Sequence, residues 1–256
     1  MELTWEIVLL VAAGGFLAAF IDSVAGGGGL IAVPILLTAG LPPHLALGTN
    51  KLAGTLSSLT STLTFLRSGH LDWRSTGKLV PLTAIGAVGG ALLMQEVSSD
   101  WMRPIIVVML TAVTLYTLLK RDWGAMRAGS AELAPSRAGR LGLAAAALLL
   151  GGYDGFFGPG TGSFLIFAFL LMGLDFVQAA GNAKLLNFTS NLASLAVFLL
   201  LGQVAFGIGL VMGAAMVAGS LVGSRVAIKS GVRYVRLLFL SVSAVLIARQ
   251  IWLLVE

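Results

Sequence analysis

The chain has 256 residues, 57% hydrophobic and only 11% charged, with a mean hydropathy of +0.97. Ordinary soluble domains are about 25% charged, so the composition excludes a solvated surface over most of the chain and indicates an all-α polytopic membrane protein; the apolar runs are continuous, unlike the short alternating segments of a β-barrel. The net charge of +5 is the excess expected of membrane loops rather than of a nucleic-acid binder, and with no Cys and two His the chain offers no disulfide, no thiolate chemistry, no metal cluster and no cofactor motif.

In chain order, the first apolar run covers 5–25. Glu2 and Glu6 precede or begin it, unlike the basic lead of a cleaved signal peptide. The run contains Asp22 and leads into Gly26-Gly27-Gly28-Gly29. Glycine costs about 1 kcal/mol in a helix interior, and a carboxylate at a membrane helix centre about 2.5–3.5 kcal/mol. The break therefore predicts a helix that stops inside the protein. A short segment, 30–40, follows with Pro34 inside it, and Pro42-Pro43 open a long one, 44–66. These prolines read as kink or break residues, and His44 reads as interfacial. The long segment carries Gly48-Thr49-Asn50-Lys51 and then a polar stripe of Thr55, Ser57, Ser58 and Ser61.

Segments at 79–95 and 101–119 lead to a polar connector, 120–138. Beyond it lie 139–154, ending at Asp154, then a second break, Gly158-Pro159-Gly160-Thr161-Gly162, and a short segment, 163–174. Next comes 177–200, with Gly181-Asn182-Ala183-Lys184 and the stripe Asn187, Thr189, Ser190, Asn191; 204–224 and 234–254 complete the series. Trp5, Trp73, Trp101, Trp123 and Trp252 fall near segment ends, as in an aromatic belt.

The two halves match at a shift of 133 residues. The shift aligns Gly29 with Gly162, Gly40-Leu41 with Gly173-Leu174, Gly48 with Gly181, Lys51 with Lys184 and Ser57 with Ser190. It also aligns Phe65-Leu66 with Phe198-Leu199, Gly69 with Gly202, Gly86 with Gly219 and Gly90 with Gly223; Asp22 meets Asp154 after a one-residue slip. Equivalent loops differ in charge. Arg67, Arg74 and Lys78 face an uncharged 200–207, whereas Arg225, Lys229, Arg233 and Arg236 correspond to a stretch holding Glu96, Asp100 and Arg103. The connector adds Lys120, Arg121, Arg127, Arg137 and Arg140. Placing the basic regions in the cytoplasm predicts two inverted repeats, 1–119 and 139–256, around a cytoplasmic linker, 120–138, with both termini outside.

Short Gly/Pro-interrupted segments at matching places of two halves are the pattern of a transporter binding site. A half-helix starting after each break would aim unpaired N–H groups into the interior, an anion cradle. Tight helix packing by small residues is the plainer alternative. The candidate substrate contacts are Gly26, Gly27, Gly28, Gly29, Asn50, Lys51, Gly158, Gly160, Thr161, Gly162, Asn182, Lys184, Asn187 and Asn191. Each buried lysine either helps hold an anion or forms an ion pair, Lys51 with Asp22 and Lys184 with Asp154, and the two states can alternate. Asp22 and Asp154 are thus candidates for coupling a proton or for steadying the lysines. The stretch "GPGTGS" lacks the Gly-Lys-Ser/Thr and the preceding strand of a phosphate loop. No nucleophile stands beside a base, so the chain does not read as an enzyme; an Asp22–Asp154 acid–base dyad is the remote exception.

Two stretches, "FIDSVAGGGGLIAVPILLTAGLPPHLALGTNKLAGT" and "GGYDGFFGPGTGSFLIFAFLLMGLDFVQAAGNAKLLNFTSNLASLAVFLLLG", closely resemble the two repeats of the TauE/SafE sulfite-exporter family, particularly its branch of "probable membrane transporter" proteins. The resemblance spans essentially the whole chain. It implies a bacterial inner-membrane carrier moving a small sulfur-containing anion, sulfite or an organosulfonate, usually outward. The residues themselves leave open a cation-coupled importer of a carboxylate or other metabolite, and an anion channel. A homodimer is compatible with a carrier of this size, although no interface is marked in the sequence.

Overall fold

The computed structural model describes residues 4–119 and 137–230, and within these every regular element is helical. The last expected span, 234–254, and most of the linker lie outside the described residues, as do Trp123 and Trp252. Helix α1 (Trp5–Ala25) stops at the first glycine break, and α2 (Gly29–Thr38) resumes after it. Helix α3 (Pro43–Arg67) takes Pro43 at its first position, where no N–H is needed. A single turn, α4 (Trp73–Thr76), passes through a 3₁₀ turn into α5 (Val80–Gln95), and α6 is Ser99–Leu119. In the second half, α7 (Arg137–Phe156) stops at the second break and α8 (Thr161–Leu171) follows. Helices α9 (Phe176–Leu200) and α10 (Phe206–Ser230) complete the set.

The 133-residue shift reappears in the element boundaries. It carries α3 onto α9 at both ends and the start of α4 onto the start of α10. The left-handed glycines that close α2 and α3, Gly40 and Gly69, correspond to Gly173 and Gly202 after α8 and α9. The first half divides into α4, a 3₁₀ turn and α5 what the second half spans with one helix, because Pro81 cannot donate to the preceding turn.

Four helical stretches among the described residues are long and apolar enough to cross a membrane: Trp5–Ala25, Trp73–Gln95, Phe176–Leu200 and Phe206–Lys229. Their outward residues suit lipid, for instance Leu149 and Leu200, at 70% and 88% exposed. Trp5, Trp73 and Trp101 are exposed at or near helix starts, where amphipathic indoles sit at a membrane surface.

The halves exchange partners. The two most extensive helix packings join α1 to α10 and α5 to α7, and each pairs an element of one half with one of the other. Helices α3 and α9 cross at the centre and also pack on α10 and α5 respectively. Glycine makes the exchanged packings close. A Cβ on Gly86 or Gly90 would strike the backbone carbonyls of Leu148 or Gly152 on α7, and one on Gly219 or Gly223 those of Phe16 or Phe20 on α1. Close backbone approach of this kind replaces the hydrophobic drive that lipid cannot supply between helices.

Neighbouring glycines on α5 give a matched test. A Cβ at Gly89 meets nothing within 4 Å, whereas one at Gly90 runs into α7. Gly90→Ala is expected to lose about 1–3 kcal/mol through overpacking and Gly89→Ala to gain up to about 1 kcal/mol of helix propensity. Thermal unfolding in detergent, followed by size-exclusion fluorescence, should move the two midpoints in opposite directions. Equal midpoints would refute the packing assigned to α5 and α7.

Candidate functional site

Each glycine-lysine motif begins as a docking device. Gly48 on α3 lies where a Cβ would collide with the Gln203 carbonyl, and Gly181 on α9 where it would collide with that of His70. One residue on, Thr49 Oγ1 accepts from the Ala205 N–H at 2.9 Å, and Asn182 Oδ1 accepts from the Asp72 N–H at 3.1 Å. Asn182 also accepts from Thr76 Oγ1 at 2.6 Å and donates to the Gln178 carbonyl at 2.8 Å. Each motif thus holds the turn that enters α10 or α4 of the opposite half. Asn182, expected to contact substrate, is committed to that task.

The lysines that follow are buried, Lys51 at 1% exposed and Lys184 at 0%. An ammonium there requires a carboxylate, and each lysine reaches across to the other half for one. Lys51 Nζ is 3.1 Å from Asp154 Oδ1 and also donates to the Asp154 carbonyl. Lys184 Nζ donates to Asp22 Oδ2 at 2.5 Å. The pairs expected from sequence, Lys51 with Asp22 and Lys184 with Asp154, are therefore corrected. The exchange follows from the interlocked packing, which brings the end of each break-forming helix beside the long central helix of the other half.

The breaks themselves meet. Gly26, with φ of 75°, presents its bare Cα to the Gly162–Ser163 backbone, and Gly29 lies against Pro159. Ser163 Oγ donates to the Ala25 carbonyl at 2.9 Å, tying the second break to the end of α1. Within the second break Thr161 Oγ1 donates to the Gly158 carbonyl at 2.7 Å and the Tyr153 hydroxyl to that of Pro159 at 2.6 Å. Tyr153 packs edge-on against Phe157 and Phe164. Gly26 and Thr161 therefore build the junction rather than line a cavity.

Beside this junction is a cavity of about 40 Å³, measured to water centres. One water needs about 10–15 Å³ on that measure, so the space suits a few waters or one small oxyanion. Both halves contribute to its wall. The breaks supply Gly27, Gly28, Gly29, Gly158, Gly160 and Gly162, and the central helices supply Asn50, Gly54, Ser57, Asn187 and Asn191. Asp22 and Asp154 also face it, together with Ala18, Ala19 and Met216. Nine of the fourteen residues expected to contact substrate line this wall. Lys51 and Lys184 do not; they stand behind their carboxylates.

The hydrogen-bonding character of the wall is mixed. Half-helices leave their first N–H groups without intrahelical acceptors, and Gly29 and Gly162 in the first turns of α2 and α8 face the cavity. The Gly28 N–H is taken by Asp22 Oδ1 at 2.9 Å. Asn191 Nδ2 turns back to the Asn187 carbonyl at 2.8 Å. Among the described residues no protein hydrogen bond engages the side-chain amides of Asn50 and Asn187, which leaves two donor groups facing the space. Asp154 Oδ2 is buried with no hydrogen-bond partner. Sequence reasoning named Ser57 in a polar stripe and in the repeat alignment but not as a contact, and missed Gly54, Ala18, Ala19 and Met216. The signal for Gly54 was its register, since the 133-residue shift sets it opposite Asn187, whose neighbour Asn191 would meet a Cβ at 3.0 Å.

Comparison with known proteins accords with this construction. The sequence model of the family described as sulfite exporter TauE/SafE matches residues 11–249. The chain is 39% identical to "Probable membrane transporter protein ORF9" of Sinorhizobium sp, over 97% of this chain and 94% of that protein. It is 36% identical to a "Probable membrane transporter protein" of Haemophilus influenzae, over 98% and 97%. It is 38% identical to "Probable membrane transporter protein YfcA" of Escherichia coli K12, over 92% and 86%. No solved structure matches. The chain belongs to the sulfite exporter TauE/SafE family and is a membrane transporter.

The crossed ion pairs can be tested by exchange of charge. Asp22→Lys alone places two ammonium groups together and is expected to cost about 3–5 kcal/mol. Adding Lys184→Asp should restore most of the loss of folded protein in detergent, and adding Lys51→Asp should not. Rescue by the second combination would reverse the pairing.

Proposed function

We propose that this family member is a secondary transporter carrying one small anion, sulfite or an organosulfonate, outward across the bacterial inner membrane by alternating access. The observation that carries the reading is the polar cavity at the junction of the two glycine breaks, lined from both halves inside an apolar chain. A cavity at the interface of two interlocked halves can open to either side when the halves rock against each other. The sulfur-containing substrate and the outward direction rest on the family's description.

In this reading residues 1–119 and 139–256 are inverted repeats joined by the linker 120–138, with both termini outside. The loop charges support that placement. The glycine N–H groups of the half-helix starts, the amides of Asn50 and Asn187 and the Ser57 hydroxyl surround the anion as donors. Lys51 and Lys184 act one layer back. Each cancels a wall carboxylate, so the cavity presents donors without net negative charge to repel an anion.

Counterflow in proteoliposomes with labelled sulfite, methanesulfonate, sulfoacetate and acetate tests the function. The sulfur oxyanions should exchange and acetate should not. Preferential exchange of acetate would favour an importer of carboxylates, and unitary conductance without counterflow a channel. A hydrogen bond to a charged group is worth about 1.5–3 kcal/mol, so Asn187→Leu should raise the KM for exchange by about tenfold or more. An unchanged KM would remove Asn187 from the site.

A further inference from the structure

The two wall carboxylates are equivalent by sequence but not by bonding. Both oxygens of Asp22 are engaged, Oδ1 by the Gly28 N–H at 2.9 Å and Oδ2 by Lys184 at 2.5 Å. Asp154 is more deeply buried, at 2% exposed against 17% for the Asp22 side chain. Its Oδ1 meets Lys51, while Oδ2 has no partner although it belongs to a residue on the cavity wall. A buried carboxylate oxygen without a donor is costly, and the residue bearing it is placed to bind something that enters the cavity.

Charge balance identifies what binds. With the cavity holding only water, two carboxylates and two ammonium groups sum to zero. A monoanion entering alone leaves one uncompensated negative charge inside an apolar chain, where an unpaired ion is costly. One proton on Asp154 Oδ2 restores neutrality. It also converts an orphaned acceptor into a donor on a residue of the cavity wall. Lys51 keeps its bond to the Asp154 carbonyl, and from one layer behind the wall its positive charge then balances the anion. Among the described residues no other group competes for this part. Helices α5 and α8, packed against α7, carry no ionisable residue. Helix α3 presents Lys51 itself. Helix α9 presents Lys184, already held by Asp22 of α1. On α7 the Tyr153 hydroxyl donates to the Pro159 carbonyl.

We propose that Asp154, and not Asp22, carries a proton that crosses with the anion, one proton per monoanion, so that the loaded and empty carriers are both electrically neutral. The inference rests on the anion-transport reading above. The proton binds to Oδ2 as the anion enters and leaves with it, and no covalent bond to the substrate forms; net outward movement then runs down the anion's own gradient and stops where an opposing pH gradient balances it, tenfold in anion per pH unit.

The test uses the full chain in proteoliposomes with labelled methanesulfonate, a permanent monoanion that brings no proton of its own. In the native protein an acidic exterior should drive about tenfold accumulation per pH unit, the ratio set by 1.36 kcal/mol per unit. A potassium diffusion potential should leave accumulation unchanged. Asp154→Asn should abolish accumulation driven by the pH gradient, and its residual counterflow should no longer depend on pH. Tenfold accumulation by Asp154→Asn, or native accumulation that follows the potential instead of the pH gradient, would overturn the assignment while leaving anion transport intact. Should Asp154→Asn fail to fold, an entrapped pH dye is read in the native protein and in Asp22→Asn: one proton per anion in both supports the inference, and none in the native protein, or its loss in Asp22→Asn, overturns it. Absence of native methanesulfonate counterflow would instead overturn the sulfonate-transport reading, and this inference with it.

Discussion

Two ammonium groups buried in an apolar interior each require a carboxylate, and neither finds it in its own half. Lys51 is held by Asp154 and Lys184 by Asp22. Breaking a buried pair leaves an uncompensated charge and costs about 3–5 kcal/mol, so neither half is electrostatically complete without the other. The exchanged packing of α1 with α10 and α5 with α7 provides the geometry for this. The glycines of α5 and α10, set against backbone carbonyls, let those helices approach closely enough for the carboxylates to reach the central helices.

The same interlocking explains why so much of the Gly-x-x-Lys motif serves structure. Reading along α3, Gly48 accepts the neighbouring turn, Thr49 bonds it, Asn50 turns to the cavity and Lys51 binds the remote carboxylate. Four successive residues of a helix point in four directions, about 100° apart. Only one of these directions faces the cavity. Along α9 the sequence Gly181, Asn182, Ala183, Lys184 repeats the arrangement, but Ala183 stands where Asn50 stands in α3. The second half supplies Asn187 one turn further on, opposite Gly54 in register. A large polar group and a small residue thus exchange places between the halves, Asn50 and Gly54 in α3 against Ala183 and Asn187 in α9.

Much of this architecture was legible in the sequence. The helical breaks and the short segments after them follow from glycine and proline positions, because those residues act locally on the backbone, and the 133-residue correspondence follows from the matched glycines together with Lys51 and Lys184. Nine of the wall residues were legible for the same reason, being either break glycines or amides on a helix that must face inward. What could not be read was pairing across the chain. Asp22 lies nearer in sequence to Lys51 than Asp154 does, and nothing local distinguishes the two partners; that choice depends on which helices exchange. Thr161 and Asn182 have the chemistry of ligand contacts. Only the location of the Gly158 carbonyl and of the Asp72 N–H commits them to the framework.

The two halves also depart from symmetry in how they are fastened. Gln95 at the end of α5 and Gln203 in the turn before α10 form a reciprocal amide pair, with bonds of 2.9 and 2.6 Å. The 133-residue shift sends these positions to Ile228 and His70. The side chain of Ile228 can neither donate nor accept, and His70 lies near Ser68 Oγ, at 3.1 Å. The amide pair therefore joins one junction between the halves and has no counterpart at the other. The unequal bonding of Asp22 and Asp154 runs in parallel with this difference. Two equivalent halves would give two conformations of equal energy, with nothing in the framework to favour either. Under the alternating access proposed above, unequal fastening would set an energy difference between them, and a ligand can shift such a balance only by binding one arrangement more tightly than the other. A carboxylate with one oxygen still unsatisfied offers such a differential contact, whereas its saturated twin does not.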